Sequence, residues 1–129
     1  MYEYIKKEAF VKNTRQDHNR SRDKSTGIPV HMKHYIEKRT GLSYDDVRIH
    51  YNSSQPSQFK ALGYTQGNNV FLQQGQEKHL MHELYHVAQQ KKGLVKPTSY
   101  IGKYAINDNI ELEEEADLCE EQYKREAPI

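Results

Sequence analysis

Residues 80–90 read Leu80-Met81-His82-Glu83-Leu84-Tyr85-His86-Val87-Ala88-Gln89-Gln90 and contain the pattern His-Glu-x-x-His at 82–86. Four apolar residues recur at the three- and four-residue spacing of an amphipathic helix: Leu80, Leu84, Val87 and Ala88. Gly75 precedes this segment and Gly93 follows it, and glycine commonly ends a helix. The pattern therefore predicts a helix over 76–92 with the motif near its centre.

The two histidines of the motif have the spacing of a metal-binding pair. On a helix, His82 and His86 lie one turn apart on the same face, where two imidazoles can bind one Zn²⁺. Glu83 lies beside them and can accept a proton from a zinc-activated water. We therefore expect Zn²⁺ as cofactor, both histidines as ligands and Glu83 as the catalytic base. The alternative is a surface helix with two unused histidines.

A third zinc ligand is expected from the acidic C-terminal segment. No histidine follows His86, and Gln89 and Lys92 stand where the metzincin pattern needs Gly and His. A last helix is predicted over 109–125, and its apolar stripe is Leu112, Ala116, Cys119 and Tyr123. Acidic residues flank the stripe on both sides: Glu113, Asp117 and Glu120 on one, Glu111 and Glu115 on the other. We prefer Glu113 as ligand with Asp117 bonded to a ligand histidine, but periodicity alone leaves both flanks open.

The rest of the chain predicts a small α+β domain over 28–125 behind a polar arm. Residues 1–27 are basic and polar, and we expect a short helix over 2–11 followed by a mobile segment over 12–27. Further expected elements are a helix over 29–40, strands over 47–51, 60–65 and 69–73, a loop over 93–103 and a capping box formed by Asp108 and Glu111. The short sheet is expected to pack on the 76–92 helix.

Composition excludes several classes of protein. The 129 residues carry a net charge of +1, which argues against a general nucleic-acid binder. No apolar run is long enough for a membrane span, and a single cysteine excludes an internal disulfide. The N-terminus has no signal-peptide pattern, so we expect the cytoplasm, or export without a signal peptide. Oligomeric state stays open.

The chain resembles the extracellular contractile injection system core domain, a metallopeptidase-like family of bacterial injection-system cargo and toxin-like proteins. The resemblance extends over 27–118 and is carried by residues 27–30, 41–50, 61, 65–71, 80–90 and 112–117. It implies a minimal zincin-like fold of the gluzincin type, with ligands His82, His86 and Glu113 and with Glu83 as the base. The family's Glu-x-Glu-Ala-Asp segment aligns with Glu113 and Asp117, which favours that flank.

These observations lead to a zinc-dependent metallopeptidase that hydrolyses a peptide or protein substrate, bound along the edge strand nearest the metal helix. The main alternative is a non-catalytic, zinc-stabilised module that loads cargo or recruits an injection-system or toxin partner. A metal-free helical interaction domain and a protease that trims its own arm are further alternatives. We expect His50 to be a structural hydrogen-bonding residue, His79 a bystander and Cys119 a core residue, and we expect Tyr100 or Tyr104 as a candidate oxyanion donor.

Overall fold

The computed structural model describes residues 3–6, 22–59, 61–107 and 109–126, and these form an α+β fold. The helices are α1 (Val30–Thr40), α2 (Leu80–Lys91) and α3 (Ile110–Glu126). The strands are β1 (Glu3–Lys6), β2 (Arg48–His50), β3 (Gly63–Gln66), β4 (Asn69–Leu72), β5 (Ser99–Ile101) and β6 (Tyr104–Asn107). Short 3₁₀ turns cover Gln55–Phe59 and Glu77–His79, and the second leads directly into α2.

The six strands form one mixed sheet in the order β2-β4-β3-β1-β6-β5. β3 and β4 make an antiparallel hairpin, and β2 pairs with β4 in parallel. β5 and β6 make a second antiparallel hairpin. β1 lies between the two hairpins, antiparallel to β3 and parallel to β6. The first strand in the sequence therefore holds a central place in the sheet.

Helix α2 is the centre of the hydrophobic core. Leu80, Leu84 and Val87 are fully buried and belong to one cluster with side chains from β4, α1 and α3, namely Val70, Leu72, Ile36 and Cys119. The hydroxyl of Tyr44 donates to the backbone carbonyl of Leu84 at 2.6 Å, which ties the loop after α1 to the middle of α2. Because α2 contacts the sheet and both other helices, its motif lies inside the protein.

The predicted elements around the motif agree with the structure to within a few residues. Helix α1 falls within the predicted 29–40, and it ends where Gly41 adopts a left-handed conformation (φ 75°) and donates to the Glu37 carbonyl. The three strands predicted at 47–51, 60–65 and 69–73 correspond to β2, β3 and β4. Their packing on α2 follows the expected arrangement, since Val70 and Leu72 lie in the same cluster as the α2 side chains.

Two predictions about secondary structure are wrong. Of the predicted helix over 2–11, the described residues Glu3–Lys6 form a strand, because backbone pairing with two distant strands outweighs the weak local preference for a helix. The other residues of that predicted helix lie outside the described part of the chain. The predicted loop over 93–103 contains β5, which turns at Gly102 (φ 58°) into β6. Strands this short and partly polar give little periodicity from which a hairpin can be predicted.

The start of α3 also differs from its prediction. Asn109 accepts hydrogen bonds from the backbone N–H groups of Glu111 and Leu112 at 2.8 and 3.2 Å, so Asn109 caps the helix. Asp108, predicted for that role, lies outside the described residues.

Of the predicted arm, residues 1–2 and 7–21 lie outside the described part of the chain. Residues 22–27 make a turn in which Asp23 accepts hydrogen bonds from the backbone of Ser25 and Thr26. A hydrogen bond from the Ser25 hydroxyl, together with these backbone bonds, lowers the pKa of Asp23 to about 2. The division into an arm over 1–27 and a domain over 28–125 stays a prediction. Among the described helices, none combines the length and apolar character of a membrane span.

Candidate metal centre

Helices α2 and α3 bring three metal-binding side chains together. His82 and His86 are completely buried on one face of α2. Glu113 lies in the first turn of α3, where its backbone N–H donates to the carbonyl of the capping residue Asn109. One ligand atom from each of His82, His86 and Glu113 lies within 4.8 Å of the other two. The predicted ligand set is therefore a single cluster in space.

The distances within the cluster suit a small cation. His82 Nε2 lies 2.9 Å from His86 Nε2 and 3.0 Å from Glu113 Oε1, and His86 Nε2 lies 3.7 Å from Glu113 Oε1. A tetrahedral Zn²⁺ with bonds of about 2.0–2.1 Å separates its ligand atoms by about 3.3 Å. The three observed separations lie on both sides of that value. The imidazole rings are nearly perpendicular, at 82°, so their Nε2 atoms approach the same point from different directions.

The other nitrogen of His82 bonds to a carboxylate. His82 Nδ1 lies 2.8 Å from Asp117 Oδ1, one turn beyond Glu113 on α3. Because an ionised carboxylate only accepts, the ring must donate its Nδ1 hydrogen there. In its neutral form His82 then presents an unprotonated Nε2 to the cluster. This is the hydrogen bond that the sequence predicted for Asp117 and a ligand histidine.

Gln89 fixes the tautomer of the His86 ring in the same way as Asp117 fixes that of His82. Its amide nitrogen donates to the Leu112 carbonyl at 2.9 Å and to Glu115 Oε1 at 3.1 Å, so its oxygen is the group facing His86. That oxygen lies 2.7 Å from His86 Nδ1 and accepts the ring hydrogen. A neutral His86 therefore also presents an unprotonated Nε2 to the cluster.

The surroundings of Glu113 in this cluster change its pKa. Burial, and next the nearby negative charge of Asp117, raise the pKa of Glu113 to about 8. Two ring nitrogens and one carboxylate thus converge as three electron-pair donors at one buried point. Such a set is stabilised by a proton or by a metal cation. Two imidazoles and a carboxylate are also a donor set that Zn²⁺ prefers, so these residues fit the expected ion.

Glu83 lies next to this cluster on α2 and is 1% exposed. Its carboxylate accepts a hydrogen bond from the hydroxyl of Thr65 on β3 at 2.7 Å. On the same strand, a Cβ placed at Gly63 would lie 3.8 Å from Glu83 Oε2. The same Cβ would lie only 3.0 Å from the Leu72 side chain and 3.1 Å from the Phe71 carbonyl, so packing against β4 favours glycine there, while the threonine holds the orientation of the Glu83 carboxylate. A negative charge on Glu83 is favoured by a hydrogen-bond donor of this kind.

The comparison with known proteins identifies the family. A family model described as the eCIS core domain matches residues 27–94, more than half of the chain. The chain belongs to the eCIS core domain family. No curated protein and no solved structure matches the chain.

The family match to the eCIS core domain includes three of the site residues. His82, Glu83 and His86 lie within the matched residues, whereas Glu113 and Asp117 lie beyond residue 94. The association of the two α3 residues with the motif therefore comes from their distances to the rings. The resemblance inferred from the sequence is confirmed at the level of the family.

The other acidic residues considered for this eCIS core domain point elsewhere. Glu111 is exposed, and the Glu115 carboxylate accepts from Gln89. Glu120 lies 2.8 Å from Lys124 and 3.7 Å from His79. Among the described residues, the cluster of potential ligands holds Glu113 and neither member of the opposite flank.

The structure also gives the positions and contacts of the remaining candidate residues. His50 contacts the Asn69 side chain at 3.0 Å and stacks on Phe71, as expected of a structural hydrogen-bonding residue. Cys119 is buried in the core, and burial raises the pKa of its thiol to about 11. Tyr100 is 66% exposed on β5, and Tyr104 packs against the small cluster of Ala61, Tyr64 and Ile106. Neither position selects one of these two tyrosines as an oxyanion donor.

Sequence reasoning missed the roles of Gln89 and Thr65. Gln89 follows His86 by three residues, a spacing at which helical side chains are neighbours, so a signal was present. Nothing local links Thr65 to Glu83, because their contact depends on how β3 packs against α2.

Proposed function

We propose that this eCIS core domain is a zinc-dependent metallopeptidase of the gluzincin type. The observation that carries the proposal is the convergence of His82 Nε2, His86 Nε2 and Glu113 Oε1, with both Nδ1 atoms bonded to acceptors. An arrangement that orients two imidazoles in this way is typical of metal-binding histidines. Three protein ligands also leave a fourth coordination position for water or substrate.

In this proposal each residue has a definite role. His82, His86 and Glu113 hold Zn²⁺, which when bound supplies Lewis acidity toward water and toward the scissile carbonyl. Glu83 accepts a proton from the attacking water and passes it to the leaving amine. The Thr65 hydroxyl donates to Glu83 at 2.7 Å and keeps that carboxylate oriented.

Burial supports an acid–base role for Glu83. Glu83 is 1% exposed, and burying a carboxyl group this deeply is costly unless hydrogen bonds compensate it. The fold keeps Glu83 at this position, adjacent in sequence to a ligand, with a threonine donor and with a glycine beside it. Such a cost is common at catalytic sites and uncommon in a core that serves packing alone.

The substrate is proposed to be a peptide or protein in an extended conformation. Membership in the eCIS core domain family further suggests an association with an injection system. The natural substrate or partner would then be a cargo or a toxin of such a system. The sequence predicts that substrate pairs with the edge strand nearest α2. The strand that contacts Glu83 on α2 is β3, which is paired on both sides, with β4 and with β1, and is therefore not an edge strand. An extended substrate therefore needs an opening in the sheet.

The test is cleavage of an unstructured protein substrate by the zinc-loaded chain and by Glu83→Gln. The variant keeps the size of the side chain and removes the base. We expect it to fold, to bind zinc as the wild type does and to lose at least about a hundredfold in cleavage rate, the contribution typical of a general base. Glu114→Gln, an exposed position on α3, is the matched control and should cleave normally.

One result would favour the non-catalytic alternative. If Glu83→Gln binds zinc and cleaves as fast as the wild type, the metallopeptidase proposal is wrong. If neither protein cleaves while zinc raises the melting temperature strongly, the ligand set joining α2 to α3 is a structural site in an interaction module.

A further inference from the structure

We propose that the edge of β3 beside Glu83 is a binding site for an extended peptide, and that the chain's own segment Glu3–Lys6 occupies it. The consequence of this occupation is autoinhibition, and that consequence rests on the proposed metallopeptidase function. The site itself is argued from backbone pairing and from the contacts of β3 with Glu83.

The pairing places the N-terminal segment directly along the strand that contacts the base. β1 runs antiparallel to β3, with Tyr4 opposite Thr65, Ile5 opposite Tyr64 and Lys6 opposite Gly63. Neighbouring strands lie about 4.8 Å apart. The backbone of β1 is therefore one strand spacing from the strand whose threonine holds Glu83.

Two residues of β3 approach the Glu83 carboxylate. Thr65 donates to one carboxylate oxygen at 2.7 Å, and a Cβ at Gly63 would lie 3.8 Å from the other. Because alternate residues of a strand share a face, Gly63 and Thr65 line the same side of β3. A peptide paired with β3 along these residues therefore lies about one strand spacing from the residues that contact the base.

The other side of the segment borders the element that leads to the third ligand. β1 pairs in parallel with β6, which ends at Asn107. Asn107 accepts from the backbone N–H of Asn109, the cap of α3, and Glu113 follows in the first turn of that helix. A peptide between β3 and β6 therefore lies between the strand that bonds the base and the strand that precedes the ligand helix.

Side-chain packing connects β3 and β6 independently of the β1 backbone ladder. Tyr64 of β3 and Ile106 of β6 belong to one buried cluster together with Ala61, and Phe71 and Tyr104 pack against it. This cluster is a second connection between β3 and the hairpin β5-β6, in addition to the backbone pairing of β1 with β3 and β6. Backbone pairing of a four-residue strand also depends little on sequence, so another extended peptide can take the same place.

The consequence is a competition within one molecule. While Glu3–Lys6 is paired with β3, a substrate cannot pair with that edge of β3. The apparent affinity for substrate is then the intrinsic affinity multiplied by the fraction of molecules in which the edge is open. Displacement or removal of the segment is then the activating event.

The experiment uses the full chain carrying Glu83→Gln, so that no peptide is cleaved, and a fluorescent peptide with the sequence of residues 1–8. In the first experiment the protein also carries Glu3→Cys and Gln66→Cys, because these two positions lie directly opposite each other on β1 and β3. Oxidation should form a cross-strand disulfide, and the buried Cys119, with its raised thiol pKa, should not compete. We expect the oxidised protein to bind the peptide at least about tenfold more weakly than the reduced protein.

In the second experiment Ile5→Pro removes a backbone N–H from β1 and disfavours its place as a central strand. The control Ile5→Val keeps the N–H and the preference for a strand. We expect the proline variant to bind the peptide more tightly than the wild type, and the valine variant to match the wild type. The corresponding proteins with Glu83 intact should show the same order in cleavage rate, with the oxidised protein slowest.

The inference is overturned if the disulfide does not form, if oxidised and reduced proteins bind the peptide equally, or if none of the proteins binds it. If the binding order is as expected and no protein cleaves any substrate, the peptide site stands and the metallopeptidase proposal fails. The two claims are therefore tested separately.

Discussion

The Nε2 atoms of His82 and His86 lie 2.9 Å apart, although each ring already donates its Nδ1 hydrogen to an acceptor. Two unprotonated nitrogens at this separation repel each other unless a cation or a proton lies between them. Glu113 Oε1, 3.0 Å from His82 Nε2, adds a third electron-pair donor. This relationship is the physical reason for assigning a metal to the site.

Asp117→Asn should weaken zinc binding. The carboxylate fixes the tautomer of His82 through a 2.8 Å contact with Nδ1, and loss of such a partner typically costs about 10–100-fold in metal affinity. Chelator competition measures the change. Glu121→Gln, which alters an exposed carboxylate on the same helix, is the control, and equal affinities for both variants would show that Asp117 does not support the ligand.

Gln89→Leu should affect both zinc affinity and stability. The substitution removes the acceptor for His86 Nδ1 and leaves the buried ring nitrogen without it, and it also removes two hydrogen bonds to α3. An unsatisfied buried polar group costs about 1–3 kcal/mol, so the metal-free protein should unfold at lower urea concentration. Lys92→Ala, at an exposed position beside the end of α2, should leave the midpoint unchanged.

Thr65→Val should reduce cleavage and leave zinc affinity intact. Thr65 contacts Glu83 and is not part of the ligand cluster. A hydrogen bond to a charged group contributes about 1.5–3 kcal/mol, so we expect a loss of about tenfold or more in kcat. Thr65→Ser retains the hydroxyl and should restore most of the rate. A valine variant with full activity would exclude this positioning role.

The metal-free protein should lose stability as pH rises toward and through 8. Glu113 has its pKa raised from 4.5 to about 8 by burial and by Asp117, so between these values the folded chain binds a proton that the unfolded chain has released. Stability from this group is therefore present at acidic pH and is lost as pH rises through the folded pKa. Urea unfolding at pH 5, 7 and 9 checks the sign, with Glu113→Gln as the control that should show a smaller dependence.

The sequence predicts the metal centre well where the information is local. The His-Glu-x-x-His pattern places both histidines on one helical face, and helix α2 and its two candidate ligands follow from spacing alone. The choice of Glu113 over Glu111 or Glu115 needed the family resemblance, because helical periodicity cannot tell which flank of α3 turns toward α2. The bond between Gln89 and His86 has a local signal in the three-residue spacing, whereas the bonds of Gln89 to α3 and of Thr65 to Glu83 depend on how α3 and β3 pack against α2.

The sheet is less predictable from sequence for a related reason. β1 pairs with strands about sixty and a hundred residues away, and its four residues carry no periodicity that requires a strand. The hairpin β5-β6 likewise depends on its place beside β1 and on the cluster around Ile106. Non-local pairing therefore accounts for the two errors in secondary structure.

The most direct measurement is the zinc content of the chain purified without added metal, by elemental analysis, beside His86→Ala and Glu113→Ala. The account predicts about one zinc per wild-type chain, with two nitrogen ligands and a carboxylate oxygen at about 2.0–2.1 Å by X-ray absorption, and little or none in either variant. A wild-type chain that takes up no more zinc than the two variants, even when zinc is supplied, would contradict it.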